Sequence, residues 1–178
     1  MVDSNLLAYK ITIHMIMAFI ILAILIYILY LSKIKPIDIR FNNKIIYIIT
    51  FGFFLTFIQI FLGTQVRQFI DIQMNEFPMQ NELWLKFAPL KFYFHRSFSL
   101  IILATNLFLY REFKKIKIIP FSLKIILAAL LLEIFTGVLM YYFDFPISTQ
   151  PIHLLLATFI FTAQLYLILQ LVIKNEIK

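Results

Sequence analysis

Five apolar runs, each close to the ~20 residues a helix needs to cross a lipid bilayer, leave this sequence little freedom in what it can fold into. They extend roughly from Leu6 to Leu31, Ile45 to Val66, Phe92 to Tyr110, Ser122 to Phe143 and Ile152 to Ile173. In hydrocarbon every backbone N–H and C=O needs an internal partner, so runs of this length form helices. The expected fold is an all-α transmembrane protein with five membrane-spanning helices: a four-helix bundle from the second to fifth runs, plus one extra N-terminal helix. Composition agrees, with 62% hydrophobic residues, 14% charged and a mean hydropathy of +0.93, values outside the range of soluble domains. No soluble domain fits between the runs. With no cysteine, disulfides, thiolate metal sites and cysteine nucleophiles are excluded.

The net charge of +7 would suggest nucleic acid as a partner for a soluble protein. Here the basic residues crowd into short loops, and membrane topology accounts for them instead. Lys33, Lys35, Arg40 and Lys44 follow the first run, Arg111, Lys114, Lys115, Lys117 and Lys124 surround the loop after the third, and Lys174 and Lys178 close the chain. The other side carries Lys10, Arg67, Lys86, Lys91 and Arg96, balanced by Asp3, Asp71, Glu76, Glu82 and Asp144. Because Lys and Arg accumulate on the cytoplasmic side, the N-terminus is expected outside and the C-terminus inside. The opening residues lack the pattern of a removable signal peptide. The one long connection, Thr64 to Lys91, is expected to hold a short interfacial segment around Trp84 and to cover a site beneath it.

Two internal repeats stand out. Phe57-Ile58-Gln59-Ile60-Phe61-Leu62-Gly63 aligns with Leu131-Leu132-Glu133-Ile134-Phe135-Thr136-Gly137, 74 residues later. Ile13-His14-Met15-Ile16-Met17-Ala18 aligns with Ile152-His153-Leu154-Leu155-Leu156-Ala157. The first pair reads as a duplicated hairpin. The second makes the first helix a copy of the last helix of a four-helix unit, so residues 1–31 form one separate helix and residues 32–178 the complete unit.

The three histidines, His14, His95 and His153, all fall near the outer ends of helices running the same way. Pro151 belongs in the first turn of its helix, which fixes His153 close to that helix's start. An ionisable residue within a membrane helix is costly unless partnered, so it marks a functional site. In an antiparallel bundle the helices of His95 and His153 are parallel, and the two imidazoles can face each other at equal depth. A planar cofactor with two axial positions, such as haem, suits that arrangement. A bare zinc or copper ion suits it less, because no third ligand is at hand. Hydrogen bonding across a helix interface is the plainer alternative for each histidine. Arg67 and Arg96 lie at the same level, where guanidinium groups pair with carboxylates such as haem propionates or simply snorkel to the interface. Gln59 and Glu133 are intramembrane polar groups suited to joining helices, with proton relay as a further role for Glu133. Gly63 and Gly137 permit close approach of a helix or a flat ligand.

At these residues the sequence resembles the haem A synthase family, the CtaA or Cox15 family of cytochrome oxidase assembly proteins. Gln59 to Arg67 is similar to its Q-x-x-L-G-x-x-V-R helix end, Phe94-His95-Arg96 to its H-R helix start, and Gln150 to Ala157 to its final histidine helix. Met1-Val2-Asp3-Ser4 with Tyr9-Lys10-Ile11-Thr12-Ile13-His14 resembles the connection and helix at the middle of that family. The resemblance implies eight helices in two four-helix halves, with this chain matching the last helix of the first half and the whole second half. It implies haem b held axially by His95 and His153, and conversion of haem O to haem A in the first half, of which His14 alone matches. The family's E-x-x-H-R motif finds Phe92 where glutamate would stand, and the loop cysteine pair of some relatives is absent.

The expectation is a haem A synthase component supplying the haem b-binding half, with haem O and haem A as substrate and product. A non-catalytic b-haem membrane protein and a haem-free scaffold are the alternatives. Expected partners are the missing first half or a second copy of this chain, with haem O synthase and cytochrome oxidase assembly factors, in the bacterial cytoplasmic membrane.

Overall fold

A computed structural model describes residues 2–32, 42–78 and 80–176; Met1, Lys33, Lys35, Arg40 and Lys178 lie outside the described residues. Five long helices, α1 (Val2–Ser32), α2 (Asn43–Glu76), α4 (Leu90–Lys115), α5 (Phe121–Tyr142) and α6 (Thr149–Glu176), are joined by short connections, one of which holds the four-residue α3 (Asn81–Trp84). Each long helix contains a stretch long and apolar enough to cross a membrane, and no strand occurs among the described residues.

Local chemistry sets the helix ends. The Asn42 side chain caps α2 by accepting the Lys44 N–H at 3.1 Å, which satisfies a donor the helix cannot. Pro89 and Pro120 stand extended immediately before α4 and α5, and Pro151 occupies the first turn of α6, where its missing N–H costs nothing. At the end of α4, Lys117 turns left-handed (φ 59°), and the N–H groups of Lys117 and Ile118 close on the carbonyls of Lys114 and Phe113 at 3.1 and 3.2 Å. That is a Schellman stop with lysine in the position glycine prefers.

One expectation needs correction. The second helix was expected to end near Val66, yet α2 runs on to Glu76 and the long connection shrinks to residues 77–89. Hydrophobicity falls after Val66, but no glycine or proline interrupts the chain before Pro78, and Arg67 pairs with Asp71 one turn on at 3.6 Å. A helix ends at a breaker rather than where it leaves hydrocarbon. Trp84 then closes the short connection, its Nε1–H donating to the Phe77 carbonyl at 3.0 Å.

The bundle is a square in the order α2, α4, α5, α6, with α2–α4 and α5–α6 the most intimate pairs and α4 diagonal to α6. Helix α1 lies in the groove between α2 and α6. There Phe19 meets the edge of Phe161 at 4.8 Å between centroids, Tyr30 meets Tyr166 at 6.1 Å, and Thr12 approaches Thr64 Oγ1 at 3.4 Å. The closely packed apolar core, including Ile49, Leu109, Phe113, Leu123, Ile126 and Leu167, fills the end of the bundle remote from His95 and His153. Glu112 ties that end together, 3.2 Å from Lys44 Nζ and 2.7 Å from Lys115 Nζ. Toward the histidines the core gives way to a cavity.

Candidate functional site

The cavity has a volume of about 410 Å³, within the range of sites for small organic ligands, and its walls are mostly apolar. The two repeated hairpins build it symmetrically. From α2, Gln59 Nε2 donates to the His95 carbonyl at 2.9 Å, and Gly63 lies so near the His95 ring that an added Cβ would stand 3.2 Å from Cε1. From α5, Glu133 Oε1 lies 3.1 Å from His153 Nε2, and Gly137 presents the equivalent gap, an added Cβ standing 3.7 Å from His153 Cε1. Each glycine makes room for the imidazole of the following helix. The duplication legible in the sequence is thus a duplication of histidine seats.

His95 and His153 face each other across the bundle diagonal with ring centroids 6.3 Å apart and planes at 66°. Two imidazoles sharing one metal atom from opposite sides stand with ring centres roughly 6.2 Å apart, from a metal–nitrogen bond of about 2 Å and about 1.1 Å from nitrogen to ring centre. The separation of the two rings is close to that distance. Among the described residues no group of three or more His, Cys, Asp or Glu could hold a bare metal ion. The donor set suits a cofactor that supplies its own equatorial ligands.

The His153 ring is held on both of its nitrogens. Thr136 Oγ1 donates to the Glu133 carbonyl at 2.9 Å and lies 2.8 Å from His153 Nδ1. The Thr136 hydroxyl thus bridges the Glu133 carbonyl and Nδ1, and Nε2 is the nitrogen turned toward Glu133. A second partner that fixes tautomer and ring plane is the usual support of a metal-bound histidine. Glu133 would have to withdraw from Nε2 for a metal to take its place; its side chain lines the cavity and its other oxygen is buried without a partner. On the other side, His95 Nδ1 is likewise buried and unpartnered.

Arg67 and Arg96 both line this cavity. Arg67 is shared with Asp71, and the Arg96 guanidinium lies 4.6 Å from the centre of the Tyr141 ring, an arrangement that holds a cation in place while leaving its N–H groups for an anionic ligand. His14 does not join the site. It is exposed on α1, and its neighbour Met15 is the α1 residue that reaches the cavity. Reading the sequence missed Thr136, Tyr141 and Phe145. The first was within reach, one turn after Glu133 on the same helix face; the ring under Arg96 depends on α4–α5 packing and the ring of Phe145, which meets Trp84 at 6.3 Å, on loop geometry, neither of which spacing reveals.

A family model described as cytochrome oxidase assembly protein, COX15-CtaA, matches residues 1–165. The chain belongs to the Cox15/CtaA family. The matched stretch of this Cox15/CtaA protein includes all three histidines and both cavity arginines. Comparison with curated proteins and with solved structures gave no match.

Proposed function

We propose that this Cox15/CtaA chain binds a b-type haem through His95 and His153 and is the haem b-holding component of a haem A synthase, which converts haem O to haem A for cytochrome oxidase. The observation that carries the reading is the 6.3 Å separation of two imidazole centres at the wall of one cavity. A bound b-type haem supplies one-electron chemistry through its iron. The chain's own residues do the rest. Gly63 and Gly137 clear the space beside the rings, Thr136 fixes the plane of the His153 ring, and Arg67 and Arg96 would neutralise the propionates.

His14 stands outside this cavity on an exposed face of α1, where a second site completed by another chain, either a first half or a further copy, accounts for an imidazole at membrane depth. The chain takes its place in the bacterial cytoplasmic membrane with its histidine end outward, which puts the basic loops inside. Phe92, where the related motif carries glutamate, favours a second reading: a b-haem protein that holds or passes electrons without oxidising a haem substrate itself.

The deciding experiment is an optical spectrum of the purified protein in detergent, oxidised and dithionite-reduced, for the wild type, His95→Ala and His153→Ala. A low-spin, six-coordinate b-type spectrum that is lost or becomes high-spin in both variants supports the reading. A folded wild-type protein that takes up no haem refutes it.

A further inference from the structure

Among the described residues, the buried side-chain polar atoms that lack a partner fall into two groups. Gln59 Oε1, His95 Nδ1 and Glu133 Oε2 belong to the cavity; Asn106 Oδ1 and both amide atoms of Gln164 lie deeper in the bundle, and Ser122 Oγ lies in the first turn of α5. The second group has no part in the site described above.

Its geometry follows from the sequence. Asn106 comes eleven residues after His95 on α4, and Gln164 eleven residues after His153 on α6. Eleven residues are about three helical turns, so each amide lies on the same face as its histidine, directed into the bundle. The rise of ~1.5 Å per residue puts this layer roughly 16 Å from the histidines, and Glu112 about 9 Å beyond it. Gln164 is 0% exposed and Asn106 1%. Asn106 Nδ2 returns to its own helix, donating to the Ile102 carbonyl at 2.9 Å, while the side-chain amide of Gln164 makes no hydrogen bond.

Polar side chains in membrane bundles ordinarily join helices by bonding across them, and Gln164 does not. A primary amide left unpaired in a non-aqueous interior is among the costliest arrangements a fold can contain. Gly52 of α2 faces the amide, and a Cβ added there would rest 3.5 Å from Thr105 Cγ2 and 4.0 Å from Gln164 Nε2, in ordinary contact with both, so the glycine leaves about a methyl group's room beside the amide. Thr56, one turn along α2 and also buried, spends its hydroxyl proton on the Gly52 carbonyl at 3.0 Å, which leaves its oxygen able to accept. The layer therefore offers a donor at Gln164 Nε2 and acceptors at Gln164 Oε1, Asn106 Oδ1 and Thr56 Oγ1. Water is the small molecule that both donates and accepts, and two to four such partners are what a buried water requires.

We infer that Gln164 and Asn106, with Thr56 and the gap at Gly52, form a binding site for internal water midway along the bundle. The site divides the apolar distance between the histidine cavity and the Lys44–Glu112–Lys115 cluster into two shorter steps. This holds whatever occupies the cavity.

Water-edited NMR of protein labelled with ¹⁵N-glutamine and ¹⁵N-asparagine, in perdeuterated detergent, tests it. The Gln164 side-chain signal, assigned by its loss in Gln164→Leu, should show a cross-peak to long-lived water, and Asn106→Leu should weaken that cross-peak several-fold. A Gln164 amide with no water contact, or one whose contact is unchanged in Asn106→Leu, overturns the proposal. Should Asn106→Leu fail to fold, radiolytic labelling of the wild type in ¹⁸O-water decides. Phe161, 4% exposed and one turn from Gln164, takes up ¹⁸O if water is bound there; an unlabelled Phe161 beside labelled surface phenylalanines rejects the site.

Discussion

Gly63→Ala and Gly137→Ala are the same chemical change at two halves of a repeat, and the structure separates them. At Gly63 the new methyl would stand 3.2 Å from His95 Cε1; at Gly137 it would stand 3.7 Å from His153 Cε1. Carbon atoms rest at about 3.5–4.0 Å, so the first methyl must push the His95 ring back by a few tenths of an ångström while the second fits. Overpacking of this kind costs roughly 1–3 kcal/mol. If haem binds as proposed, and ligation returns the displaced His95 ring to its place against the methyl, then at ~1.4 kcal/mol per tenfold haem affinity should fall between about fivefold and a hundredfold in Gly63→Ala and by no more than about twofold in Gly137→Ala. Both variants gain helix propensity, about 1 kcal/mol for glycine to alanine. Gly137→Ala should therefore raise the Tm of the haem-free protein, whereas in Gly63→Ala that gain is opposed by the contact with His95. Haem titration followed by absorbance, with thermal unfolding of the haem-free protein, measures both quantities. Equal loss of haem affinity in the two variants would refute the idea that each glycine acts through its distance to an imidazole.

Two further outcomes follow from single contacts. Thr136→Val keeps the shape of the side chain but removes the partner of His153 Nδ1; loss of such a supporting bond typically weakens metal affinity by about 10–100-fold, so under the proposed function equilibrium titration should show weaker haem binding by that factor. Lys117→Gly relieves a left-handed lysine at the end of α4 and should stabilise the fold by about 0.5–1 kcal/mol, seen as a higher Tm with an unchanged optical spectrum; a fall in Tm would mean the lysine side chain matters more than its backbone.

Much of the site could be read before the fold was known. The pairing of Gln59 with Gly63 and of Glu133 with Gly137 rests on four-residue spacing, which puts both members on one helix face, and the structure turns those faces toward His95 and His153. The far end of α2 was misread because hydropathy records where a helix leaves lipid, whereas proline records where it stops. The orientation of Arg96 was out of reach because Tyr141 lies 45 residues away in sequence and only the α4–α5 packing brings its ring beneath the guanidinium.

The sequence by itself determined that the chain forms five apolar helices, that three carry a histidine near the same end, and that one hairpin is repeated. Those properties depend on run length, helix breakers and short-range spacing, all of which are local. Only the tertiary structure decided which faces look inward. In a membrane bundle apolar residues cover the outside as well as the core, as exposed Phe51, Phe54, Leu131 and Phe135 do here, so no polar stripe marks the solvent side and periodicity carries no facing information. Packing alone brought His95 and His153 to 6.3 Å, left His14 on the outer surface of α1, and buried Gln164 without a protein partner.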